Sequence, residues 1–131
     1  HSTFSDGTKT PEELVELALK KGLTGLSITD HDTVDAYPRF IKCARENNLR
    51  IISGVEFSTM YEETPIHILG YSFKLDHPAI LSLTEFHKKR RVERVQLILD
   101  KLSKVNLNLT IQEIVQILPH MSHQIGRAHI A

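Results

Sequence analysis

Thr24-Gly25-Leu26-Ser27-Ile28-Thr29-Asp30-His31-Asp32 is the stretch from which the fold of this chain is read. Leu26 and Ile28 make a short apolar run, which reads as a buried strand from Thr24 to Thr29. The run breaks on three polar side chains, Asp30, His31 and Asp32. Upstream, Thr10-Pro11-Glu12-Glu13 marks a helix start. It offers an N-cap Thr, a Pro at the first helical position and a Glu three residues after the cap. Leu14, Leu17, Ala18 and Lys21 follow as one face, and Gly22 suits the C-terminal cap. Downstream, a second helix is expected from about Asp35 to Asn48, with Phe40, Ile41 and Ala44 inward. Arg50-Ile51-Ile52-Ser53-Gly54-Val55 then reads as a strand ending at Glu56, and Ile66 to Phe73, which includes His67, as a further apolar run. Strands alternating with helices over short connections imply parallel βα units, an α/β fold. In such folds the chemistry gathers at the C-terminal ends of the strands, where His31 and Glu56 are expected.

From Pro78 the texture changes. Residues 79–105 carry a long helical pattern through Ile80, Leu83, Val95, Ile98, Leu99 and Leu102. A turn is expected at 106–108, followed by a second capping box in Thr110-Ile111-Gln112-Glu113. Pro119 ends that helix, and another is expected near Ser122. An all-helical stretch in an α/β chain reads as an inserted subdomain, so residues 1–77 and 78–131 are expected to be separate regions.

The chain has 131 residues, 40% hydrophobic and 24% charged, the mix of a globular protein. No apolar run approaches the roughly 20 residues that span a bilayer, so no membrane association is expected. The single cysteine, Cys43, cannot form an intrachain disulfide, and cytoplasm is the default compartment. Formal net charge is zero but uneven. Residues 1–76 hold 8 Lys/Arg against 12 Asp/Glu, and residues 77–131 hold 8 against 4. An acidic half suits divalent cations, and a basic half suits anions.

His1, Asp6, His31, Glu56 and His67 are the candidate site residues, with Asp30 and Asp32 beside them. Imidazole and carboxylate together suit Zn, Mn or Fe. A carboxylate such as Glu56 can bridge two metals, and a metal pair roughly 3.5–4 Å apart can clamp a phosphoryl group. Taken singly, Asp6 in Ser5-Asp6-Gly7 also reads as a turn residue, and Asp30 or Asp32 as a cap for the next helix. Arg91 and Arg94, three apart, share a helix face with phosphate-binding chemistry. Lys88, Lys89 and Arg90 widen that patch. Gly126-Arg127 is expected at a helix entrance, where an anion can be held.

These segments resemble a known family. His1-Ser2-Thr3-Phe4-Ser5-Asp6-Gly7, Thr29-Asp30-His31-Asp32, and Gly54-Val55-Glu56-Phe57-Ser58 with His67-Ile68-Leu69-Gly70 are similar to the first three motifs of the PHP (polymerase and histidinol phosphatase) family, in order and spacing. The resemblance implies a distorted (β/α)7 barrel, TIM-like and only partial here, with three divalent metals, Mn, Fe or Zn. It implies that Asp6 and His31 share one metal, that Glu56 bridges two others and that His67 holds one of those. His1 matches the second His of a His-x-His pair. Later family motifs, a His-Pro and an Asp-x-His, are expected to complete the sites, so these residues alone are expected to be inactive.

Within the family, Thr29-Asp30-His31-Asp32-Thr33-Val34 and His67-Ile68-Leu69-Gly70-Tyr71 resemble the 3′,5′-nucleoside bisphosphate phosphatases. The resemblance implies a phosphatase removing the 3′-phosphate. Asp6 and His31 are then catalytic and near the attacked phosphoryl group. Arg91, Arg94, Gly126 and Arg127 bind the other phosphate. Gly126-Arg127-Ala128-His129 lacks the Pro usual in that subfamily, which leaves His129 without an assigned role. The expected partner is a small nucleotide or short RNA, with no stable protein partner. A 5′-to-3′ exoribonuclease on short RNA, a histidinol-phosphate phosphatase and a non-catalytic PHP module of a polymerase are the alternative readings.

Overall fold

The computed structural model describes residues 1–117. The chain divides into two compact units, His1–Thr84 and Glu85–Ala131. In the first unit, α1 (Pro11–Lys20) opens on the expected capping box. Thr10 Oγ1 accepts from the Glu13 amide at 3.2 Å, and the Glu13 carboxylate accepts from the Thr10 amide at 2.8 Å. Its end is equally local. Gly22 takes a φ of 72°, its amide donates to the Leu19 carbonyl, and the Leu23 amide donates to the Ala18 carbonyl, a Schellman stop. The buried face differs from the expected one. Pro11, Val15 and Ala18 are inside, whereas Leu17 is 44% exposed. The stripe is set by Val15, one turn from both Pro11 and Ala18.

The next elements are β1 (Gly25–Leu26), α2 (Tyr37–Glu46) and β2 (Arg50–Ile51). β1 and β2 pair in parallel, Gly25 with Arg50 and Leu26 with Ile51, as a βαβ unit requires. Val15 and Ala18 of α1 pack with Phe40 and Ala44 of α2 and with Ile28 into one core. Burying Phe40 and Val15 completely stabilises the unit by roughly 1.5–3 kcal/mol each. Cys43 is half-buried against this core. Burial pushes its thiol pKa up, and Glu12, Glu46 and Glu16 act in the same direction.

The strand expected over Thr24–Thr29 is only two residues long, and the reason is Tyr37. Its phenol accepts from the Gly54 amide at 2.5 Å, donates to the Ile28 carbonyl at 2.9 Å and lies 3.2 Å from the Ile52 carbonyl. A side chain from α2 therefore stands where a strand-to-strand ladder would run. Pairing resumes beyond it as an isolated parallel bridge between His31 and Glu56. There the Glu56 amide donates to the Asp30 carbonyl and the Asp32 amide donates to the Glu56 carbonyl.

A second expectation is corrected here. The strand read as Arg50–Val55 is two pieces, β2 and β3 (Gly54–Tyr61), and Glu56 lies inside β3 rather than at a strand's end. β3 turns back at once into β4 (Thr64–Tyr71), and the two pair antiparallel over their whole length. The third apolar run is thus half of a hairpin, not a parallel βα unit. Glu62 and Glu63, at φ 43° and 66°, form its two-residue turn, the backbone of a type I′ hairpin. The described strands make two two-stranded sheets, with no closed barrel among the described residues.

α3 (Pro78–Ser103) runs across the division between the units, and α4 (Ile111–Ile117) follows. In the second unit Val95, Leu99 and Ile114 form a small core with Leu102 and Ile111 beside it. Asn106, at φ 62°, ends α3, and Thr110 and Glu113 form the expected capping box. That hydrogen bonding lowers the Glu113 pKa. No described helix is long and apolar enough to cross a membrane.

Candidate metal centre

Three segments bring the candidate ligands together. The first is the turn at residues 1–7. The amides of Ser5 and Gly7 both donate to the Ser2 carbonyl, each at 3.0 Å. A Cβ at Gly7 would collide with the His1 carbonyl group and sit 2.8 Å from the Ser2 nitrogen, so only glycine allows the turn to close over its own start. The closed turn puts Asp6 Oδ1 3.1 Å from His1 Nδ1. Asp6 is thus both the turn residue and a member of the cluster.

The second segment is the end of the β1 strand line, where His31 reaches Asp6 Oδ2 with Nε2 at 3.6 Å. The third is the hairpin. Its register sets Ser58 opposite His67 and Glu56 opposite Leu69, so Glu56 and His67 are diagonal neighbours on one face. His67 Nδ1 lies 2.7 Å from Glu56 Oε1. The same oxygen is 4.0 Å from His31 Nδ1, and Glu56 Oε2 is 3.0 Å from His1 Nε2. The imidazole rings of His1 and His67 flank His31 at centroid distances of 4.5 and 4.8 Å.

One ligand atom each from His1, His31 and Glu56 lie within 4.8 Å of one another. Donors bound at about 2.0–2.2 Å to one cation stand roughly 3–4 Å apart, so small side-chain rotations would close these three atoms around an ion. The donor set fits as well. Glu56, only 16% exposed, is approached by three imidazoles from both of its oxygens, the mix of imidazole and carboxylate donors that divalent transition metals accept.

Asp30 and Asp32 do not cap α2, whose N-cap is Ala36 with no side-chain bond. Asp30 is 1% exposed and accepts from Ser2 and Ser5. Asp32, at φ 58°, accepts from the Ser58 amide at 2.7 Å and the Ser58 hydroxyl at 2.8 Å. Neither these serines nor Tyr37 stood out in the sequence. Ser2 and Ser5 lie inside the His1–Gly7 motif, and their spacing around His1 and Asp6 is the signal that could have found them.

Arg91 and Arg94 lie on α3, with Arg91 half-buried and Arg94 exposed, and Lys88, Lys89 and Arg90 are exposed beside them. Arg90 stacks over the Phe86 ring at 5.7 Å. Gly126, Arg127 and His129 lie outside the described residues.

An α/β fold with imidazoles and carboxylates gathered beside a strand end defines a class, the candidate metal-site hydrolases. The PHP domain model matches residues 1–108, and the chain belongs to that family. It is 39% identical over 107 residues to a 5′-3′ exoribonuclease of Haemophilus influenzae, covering 82% of this chain and 39% of that protein. It is 28% identical over 96 residues to a 3′,5′-nucleoside bisphosphate phosphatase of Chromobacterium violaceum, covering 73% of this chain and 34% of that protein. Among solved structures, a Bifidobacterium adolescentis protein assigned as a metal-dependent phosphoesterase matches with a TM-score of 0.85 at 30% identity. That match covers 99% of this chain and 46% of the other. The chain thus spans between a third and two fifths of the length of these two relatives.

Proposed function

We propose that the chain carries metal ligands of a phosphoesterase that removes the 3′-phosphate from nucleoside 3′,5′-bisphosphates. The observation that carries the metal part of this reading is Glu56, whose two oxygens face different imidazoles, and the substrate part rests on the 3′,5′-nucleoside bisphosphate phosphatase relative. In this reading His1, Asp6, His31, Glu56 and His67 hold divalent cations, three when further ligands are included, and Mn is the ion to load first. Such cations supply Lewis acidity at phosphoryl oxygens and lower the pKa of water.

The protein's own part is to place the substrate. Asp6, in the 1–7 turn, and His31, 3.6 Å from it, are the pair that orients the reacting phosphoryl group. Arg91 and Arg94 present planar guanidinium groups that take the second phosphate, two N–H donors at a time. Gly126 and Arg127 are proposed for the same phosphate. The barrel implied by the family resemblance belongs to this proposal too.

A second reading is a 5′-to-3′ exoribonuclease acting on short RNA, favoured by the 39% identity to a protein of that name. The two readings share one bond. A nucleoside 3′,5′-bisphosphate is a 5′-phosphorylated end whose 3′-phosphate carries no further nucleotide, and hydrolysis between O3′ and phosphorus serves both.

The test is to incubate the Mn-loaded full-length protein with adenosine 3′,5′-bisphosphate and, separately, with a 5′-phosphorylated oligoribonucleotide. Fast release of phosphate with adenosine 5′-monophosphate left behind supports the phosphatase. Stepwise mononucleotides, with a rate that falls steeply as salt rises, support the exoribonuclease, because RNA touches more phosphates. Turnover of neither substrate overturns both.

A further inference from the structure

The carboxylate of Asp30 is buried one residue before His31, yet its contacts run to the other end of the cluster. It accepts the Ser2 amide at 2.5 Å, the Ser2 hydroxyl at 2.6 Å and the Ser5 hydroxyl at 3.0 Å. Ser2 and Ser5 are themselves 0% and 1% exposed. They bracket the turn that carries His1 and Asp6, since Ser2 follows His1 and Ser5 precedes Asp6. Ser5 Oγ also stands 3.3 Å from Asp6 Oδ1 and 3.4 Å from His1 Nδ1. The turn's backbone bonds are local, Ser5 and Gly7 to Ser2 and Thr3 to Lys9. The bonds to Asp30 span 25 and 28 residues and tie the turn to the segment bearing His31.

A buried carboxylate with three protein donors is well matched electrostatically, and removing it would strand those donors away from water. It needs no cation to be satisfied, which separates it from Glu56. We propose that Asp30 is a positioning residue. Through Ser2 and Ser5 it fixes His1 and Asp6 at the distance from His31 that a divalent cation requires. This rests on the metal reading of the cluster.

The test is calorimetric titration of Mn²⁺ into the metal-stripped full-length protein, as wild type, Asp30→Asn, Ser5→Ala and the double variant. Each is also melted without metal. The wild type binds Mn²⁺, and each single variant binds at least about tenfold more weakly, the usual scale for a residue that orients a ligand. The double variant stays within about twofold of Asp30→Asn, because Asp30 and Ser5 act along one route and the losses do not add. If both variants lower the melting temperature of the metal-free protein but leave Mn²⁺ affinity unchanged, Asp30 is structural only and the proposal is overturned. Multiplicative losses in the double variant would overturn the route through Ser5. If Asp30→Asn does not fold, Ser5→Ala decides by affinity alone, since it leaves both Ser2 contacts intact. A wild type that binds no Mn²⁺ removes the metal reading, and this role with it.

Discussion

Glu56 is the residue on which most of the cluster depends, with His1, His31 and His67 all facing its carboxylate. Glu56→Gln keeps the shape but replaces one acceptor with a donor and removes the charge. It is expected to weaken Mn²⁺ binding beyond the roughly 10–100-fold that changes in outer contacts cost, and to abolish phosphate release. Calorimetry and a phosphate assay check both, and full activity would exclude Glu56 as a ligand. The arginines call for a different measurement. Replacing Arg91 and Arg94 with Ala is expected to raise KM at least about tenfold, the worth of a charged hydrogen bond, with kcat changed far less. An unchanged KM removes them from the substrate site. His31, Glu56 and His67 were legible because polar residues interrupting apolar runs are visible in one dimension, and His1 and Asp6 because their motif resembles a known one. The partners of Asp30 and Asp32 were not, since a carboxylate beside a helix start reads as a cap until its burial is known.

The ends of α1 were read well because their signals are local, whereas the helix expected near Ser122 lies outside the described residues. Thr10, Pro11, Glu13 and Gly22 act within one turn of the ends they define. The hairpin was missed for the opposite reason. Its turn is Glu62-Glu63, with neither the Asn nor the Gly that normally announces a type I′ turn. Two glutamates held in the left-handed region cost roughly 1–2 kcal/mol each. Glu62→Asn with Glu63→Gly is therefore expected to stabilise the protein by about 1 kcal/mol, read as a higher melting temperature. No gain would mean that interactions of the glutamates offset the strain. The hairpin also explains how Glu56 reaches the site from within a strand, since β3 passes His31 in parallel before folding back to bring His67 across.

Across the first unit, α1 and α2 are joined at the surface as well as through their core. Arg39 donates from Nε to Glu12 Oε1 at 2.8 Å and from Nη2 to Oε2 at 2.9 Å. This fork holds the Glu12 pKa below its usual value. A lowered carboxylate pKa stabilises above the unfolded value, and the gain is lost as pH falls through the folded one. Both side chains are more than a third exposed, so the contribution is at most about 1 kcal/mol. Melting wild type and Glu12→Gln from neutral pH into acid should show a small gap that closes on acidification. A gap that persists would assign the effect to packing.

The phenol that interrupts the first strand has a consequence in time. The Gly54 amide is bonded to Tyr37 on α2, not to a neighbouring strand, and burial keeps that phenol protonated by raising its pKa. The Gly54 amide proton exchanges with solvent when the helix lifts away and breaks this bond. Deuterium uptake at Gly54 therefore clocks the undocking of α2, and Tyr37→Phe should speed it while leaving the amides inside β4 on their own schedule.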